Sequence, residues 1–124
     1  MARMSETTGA PDLGALVGDW IDWAETGRRL GVSVSRVRTL IRENQLPAAV
    51  PSPGAGQQVP ALFVQDGELL KGLPGLTVMM SDHGFDHREI IEWLYTDADL
   101  PGRPVDALVE NRGAEVKRRA QAMH

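Results

Sequence analysis

The 124-residue sequence predicts a mainly α-helical protein carrying one small β-hairpin. Three observations predict it: apolar residues recur at helical spacing through most of the chain, capping residues open those segments, and one Gly/Pro-rich stretch interrupts them in mid-chain. Length sets the scale, since a chain of this size buries a modest core, and one compact unit is the default expectation.

The first helical segment opens at Asp22, an N-cap candidate with Glu25 three residues on, which is capping-box spacing. Trp23, Thr26, Gly27 and Leu30 then share one face, and Gly31 ends the segment. Ser33 caps a second helix over residues 34–44. Helical periodicity gathers Val34, Val37, Leu40 and Ile41 on its inner side and Ser35, Arg38, Thr39 and Arg42 on its outer side. Two short helices joined by Gly31-Val32-Ser33 have helix-turn-helix spacing, with the second as the recognition element. Past Pro47, the β-prone residues 48–50 and 57–64 flank Pro51-Ser52-Pro53-Gly54-Ala55-Gly56, a hairpin that Pro51 and Pro60 restrict to an edge ribbon. Its position makes it a wing. The fold class is therefore a winged helix-turn-helix with a helical C-terminal extension.

Three regions follow from this reading. Residues 1–18 are small and polar without apolar periodicity, a flexible N-terminal tail. Residues 19–65 form the winged helix-turn-helix, and residues 66–124 a helical region packed on it. The chain is read as helical from Asp66 onward, with an apolar segment over residues 69–80 broken by Gly72 and by Pro74-Gly75. Asp86 and Glu89 repeat the acidic capping pattern, and Ile90, Ile91, Trp93 and Leu94 supply the buried face of a helix over residues 87–95. Pro104 starts a short helix to residue 110, and a last helix covers residues 113–123. Trp20, Trp23 and Trp93 are read as core anchors.

Composition excludes several classes. Without cysteine there is neither a disulfide framework nor a thiolate metal site. Residues 1–12 lack a basic-then-apolar signal pattern, and the longest nearly apolar stretch, residues 73–80, is far short of the ~20 residues that span a bilayer. The expectation is a cytoplasmic protein with no membrane partner. Gly54-Ala55-Gly56 lacks the third glycine and the following helix of a dinucleotide loop, and no phosphate-loop or nucleophile motif occurs, so no catalytic residue, no cofactor and no enzyme activity are expected. Asp82-His83 and Asp86-His87 place two imidazoles four residues apart, a metal-holding spacing on a helix. Gly84 and the Asp86 cap break that helix between them, so no metal is expected.

A formal net charge of −4 conceals a strongly uneven distribution. Residues 24–60 carry five arginines against two glutamates, residues 61–110 three basic against ten acidic residues, and residues 111–124 four basic against one acidic. A basic motif beside an acidic middle suits double-stranded DNA as partner, with one face meeting phosphate. Ser35, Arg38, Thr39 and Arg42 are the candidate base readers, since arginine matches guanine and hydroxyls can meet bases or phosphate. Ser33 joins them at the helix start, Arg28, Arg29 and Arg36 are candidate phosphate contacts, and Gln57 and Gln58 offer weak contacts from a wing without lysine or arginine. The acidic residues 66–110 are left for a protein partner or self-association.

Leu30-Gly31-Val32-Ser33-Val34-Ser35-Arg36-Val37-Arg38, followed by Gln45-Leu46-Pro47, resembles the N-terminal helix-turn-helix of the MerR and excisionase type. From about residue 20 to its end the chain is more similar to a small actinobacterial family of winged-helix DNA-binding proteins known as serine/threonine kinase substrates. That likeness rests on Leu73-Pro74-Gly75-Leu76, Glu89-Ile90-Ile91-Glu92-Trp93-Leu94, Arg103-Pro104-Val105-Asp106-Ala107-Leu108 and Val116-Lys117-Arg118-Arg119-Ala120-Gln121-Ala122-Met123. It implies DNA binding through the basic helix-turn-helix, no catalysis, and a serine/threonine kinase acting on the N-terminal stretch, where Thr7 and Thr8 are the candidate sites. The run from Trp93-Leu94 to Gly102-Arg103-Pro104-Val105-Asp106-Ala107-Leu108 also looks like the toxin-binding domain of some antitoxins. The alternative function is accordingly an antitoxin-like or adaptor protein whose main partner is another protein.

Overall fold

The computed structural model describes residues 12–96 and 102–123. Among them the chain is mainly helical: α1 (Leu13–Val17), α2 (Trp23–Leu30), α3 (Val34–Arg42), α4 (Leu73–Asp82), α5 (His87–Thr96), α6 (Pro104–Val109) and α7 (Gly113–Gln121). Four two-residue strands interrupt them, β1 (Trp20–Ile21), β2 (Val59–Pro60), β3 (Val64–Gln65) and β4 (Glu68–Leu69), with a 3-10 turn at Ala61–Phe63. Thr7 and Thr8 lie outside the described residues.

The capping residues act as their chemistry dictates. The carboxylate of Asp22 accepts the Glu25 N–H at 2.8 Å, and the Ser33 hydroxyl accepts the Arg36 N–H at 3.1 Å. Asp86 and Glu89 complete a reciprocal capping box, each side chain accepting the other's backbone N–H at 2.8 and 2.9 Å. Pro74 and Pro104 occupy first-turn positions, where a missing N–H costs nothing.

Three elements depart from expectation. The tail assigned to residues 1–18 gives way at its end to α1, which Asp12 caps and which inserts Leu13, 1% exposed, into the core. A helix of five residues shows too short a pattern to register as periodic, and here the buried leucine holds it. The hairpin of residues 48–64 shrinks to one bridge between Ala49 and Gln58, because β2 pairs antiparallel with β1, Trp20 opposite Pro60 and Ile21 opposite Val59. Residues 66–72, read as helical, instead complete a second hairpin in which β3 pairs with β4. Asp66 and Gly67 form its turn with φ of 53° and 81°, the left-handed pair that a two-residue hairpin demands.

One apolar cluster runs through both halves of the chain. Val37, Leu46, Val59 and Phe63 share it with Leu73, Met80, Ile90, Ile91 and Leu94, all at 0% exposure. Phe63 meets Tyr95 of α5 with ring centroids 6.5 Å apart, joining the strand region to the C-terminal helices. A polar contact reinforces that join. The half-buried His87 ring receives the Ala48 N–H on Nδ1 at 3.4 Å and meets the Asn44 side-chain oxygen through Nε2 at 2.9 Å, so the neutral ring with Nε2 protonated satisfies both.

Two predictions follow from this packing. A Cβ on Gly27 would sit 2.7 Å from the Val32 carbonyl oxygen. Alanine gains about 1 kcal/mol in a helix interior, whereas forcing atoms into a packed contact costs roughly 1–3 kcal/mol. Gly27→Ala should lower the melting temperature, while Gly75→Ala in α4, where a Cβ meets nothing, should raise it; calorimetry on both variants checks the pair. Burial lowers the His87 pKa from 6.5, opposed by the smaller influence of Asp86. The unfolded chain thus binds the proton more readily, and the stability contributed by the neutral ring is complete above about 6.5 and lost as pH falls through the lower folded value. Urea midpoints should drop between pH ~7.5 and ~5.5 by less in His87→Gln than in the parent.

Candidate nucleic-acid interface

Close approach of α2 and α3 depends on the turn between them. Gly31 takes φ of 73°, the Val32 N–H donates to the Gly27 carbonyl at 2.9 Å, and Thr26 and Gly27 are buried, Gly27 beside Val37. Val37, Leu40 and Ile41 fill the inner side of α3 at 0%, 6% and 8% exposure. Ser35, Arg36, Arg38 and Arg42 are exposed, and Thr39 is half-buried with its hydroxyl donating to the Ser35 carbonyl at 3.1 Å. Val34, expected on the inner side, is 43% exposed. It is the first residue of α3, and no earlier turn of the helix lies beside it to close the inner face.

The candidate arginines fall into two electrostatic sets. Glu25 accepts from Arg28 Nε at 2.8 Å and Arg29 Nε at 2.7 Å, and these two hydrogen bonds, Arg28 first, hold its pKa down to about 2. The carboxylate remains charged at any physiological pH, so the three groups together present a single net positive charge. Among the described residues Arg36, Arg38 and Arg42 form no ion pair. Arg38 lies instead over the Trp23 ring, its guanidinium carbon 5.8 Å from the centroid. Trp23, expected as a core anchor, is half-buried, packed against the core with Arg38 over its ring.

The remaining candidates are more scattered. Ser33 uses a lone pair of its hydroxyl as the α3 cap. Gln57 is exposed, whereas Gln58 is half-buried and exchanges both backbone hydrogen bonds with Ala49 at 2.8 and 3.0 Å. Residues 50–57 contain no cation, but Arg88 of α5 lines the same shallow groove as Pro51, Ser52 and Pro53. Thirty-odd residues of separation hide that neighbour from any local reading of the chain. His83 and His87 fall on opposite sides of the α4–α5 break, and among the described residues no group of three or more potential ligands converges. Among the described residues no helix is long and apolar enough to cross a membrane.

The family described as the Rv2175c C-terminal domain of unknown function matches residues 70–124. DNA-binding protein Rv2175c of Mycobacterium tuberculosis (strain ATCC 25618 / H37Rv) is 37% identical over 115 residues, covering 82% of this chain and 78% of the relative. The NMR structure of Rv2175c is similar with a TM-score of 0.75 at 36% identity, covering 84% of this chain and 80% of that one. Identity and coverage at this level, extending through α2, α3 and the helices after them, place the chain in the Rv2175c family.

Proposed function

We propose that this chain binds duplex DNA in the cytoplasm by docking α3 in the major groove, acting as a transcriptional regulator or an architectural protein without a catalytic step. The observation that carries the reading is the outer face of α3, where Arg38 and Arg42 stand exposed, with Arg36 exposed at the helix margin, all three without carboxylate partners among the described residues. A relative in the same family is named a DNA-binding protein, which supports it. Arg38 and Arg42 are one turn apart and are the base readers, with Ser35 and Thr39 beside them on the same side of the helix. Arg36 and the Ser33 end of the helix meet phosphate, and Gln57 and Gln58 add a minor contact from the wing position. Arg28 and Arg29 contribute to phosphate attraction as a pair already half-compensated by Glu25.

The acidic residues 66–110 repel the duplex and provide the surface for a protein partner or a second copy. A serine/threonine kinase acting on Thr7 or Thr8 adds a charge of about −1.5 to −2, which competes with DNA phosphate for the basic face.

Alanine at Arg38 or Arg42 should weaken binding to a selected site by about 1–3 kcal/mol while changing nonspecific binding much less. Alanine at Arg28 or Arg29 should weaken selected and random duplexes alike and flatten the salt dependence. Fluorescence anisotropy at two salt concentrations measures both, after circular dichroism has shown each variant folded. Unchanged affinity in folded Arg38 and Arg42 variants would remove α3 as the reading element.

A further inference from the structure

Besides its cations, the start of α3 presents two apolar side chains to solvent. Val32 is 38% exposed and Val34 43%, one on each side of the Ser33 cap. Val32 stands at the position before the cap, where an apolar side chain can staple to Val37 four residues into the helix, whereas Val34 has no such role. The core closes over Val37, Leu40 and Ile41 without Val34, and a β-branched residue is a poorer helix former than alanine or leucine. Val34 precedes Arg38 by four residues, so the two side chains are neighbours along one edge of the helix. Arg38 is steadied at that edge by the Trp23 ring. The exposed apolar surface therefore adjoins the Arg38 guanidinium, at the N-terminal end that a recognition helix directs toward base edges.

We infer that Val34, supported by Val32, is a specificity-determining residue that packs against the 5-methyl group of thymine. In the major groove that methyl is the apolar group on a base edge, and the surrounding cations supply the reason for a nucleic acid, not an apolar protein surface, to reach these valines. The inference rests on the proposed DNA binding and adds to it a base preference that the arginines do not explain. Arginine selects guanine; the valines select thymine beside it.

Deoxyuridine pairs as thymine does and lacks only the methyl, so it isolates the contact. The experiment first selects a preferred duplex from a random pool with the full chain, then replaces each thymine singly by deoxyuridine and measures affinity by anisotropy. Loss of one buried methyl corresponds to an effect of about fourfold. The expected result is a weakening of that size at one or two thymines, an equal weakening of the unmodified duplex by Val34→Ala, and no further loss when Val34→Ala meets the deoxyuridine duplex. Val34→Ile, which keeps an apolar branch, should retain the discrimination. Tight binding that ignores every deoxyuridine replacement overturns the thymine contact and leaves DNA binding standing, as does full deoxyuridine sensitivity surviving in Val34→Ala. Failure to bind any duplex overturns both readings. A dimer in the parent protein that Val34→Ala dissociates assigns the valines to a second copy of the chain and also overturns the contact.

Discussion

A missing side chain governs the N-terminal half of this protein. With no Cβ at Gly27, the Val32 carbonyl comes close enough to α2 for the turn to close, and the Val32 N–H bonds back to the Gly27 carbonyl. That closure fixes the crossing of α2 and α3. It lets Val37 seat over the glycine, and the seating of Val37 decides which side of α3 faces outward. Arg38 and Arg42 are exposed because Val37, Leu40 and Ile41 are not. The arrangement of charge on the surface is thus a consequence of one steric allowance beneath it.

Charge is then sorted by local pairing. Glu25 lies within reach of Arg28 and Arg29 at helical i+3 and i+4 spacing and takes both, whereas α3 contains no acidic residue. Formal charge over the region overstates what α2 offers a polyanion and leaves α3 as the stronger attraction. The C-terminal helices contribute in another way. Phe63 on Tyr95, and His87 bonded to Asn44 and Ala48, brace the segment that follows α3 against α5. A surface whose flanking segment is braced in this way loses less freedom on meeting any partner.

Local chemistry made part of this legible in the sequence. Asp22, Ser33 and Asp86 cap as their residue types require, and helical spacing separated Val37, Leu40 and Ile41 from Arg38 and Arg42. Val34 departs from the periodic pattern because periodicity treats all turns of a helix as equal, and the first turn lacks a neighbour on its N-terminal side. The β3–β4 hairpin carried a readable signal in Asp66-Gly67, but the apolar run after it has a helical composition that overrode the turn. Pairing of β2 with β1, the position of Arg88 beside residues 51–53, and the stacking of Arg38 on Trp23 join residues far apart in the chain or on different helices. Spacing within a segment carries no record of such contacts.

On the proposed mode of binding the outer face of α3 meets the duplex and the acidic helices do not. Titration of duplex DNA into the 15N-labelled chain, followed by amide and arginine side-chain resonances at low and moderate salt, tests it residue by residue. The expected shifts concentrate on residues 32–42, including the Arg38 and Arg42 side chains, with weaker changes near residues 57–58 and loss of the whole pattern as salt rises. Shifts confined to residues 66–110, or a salt-insensitive pattern that leaves α3 unmoved, would contradict it.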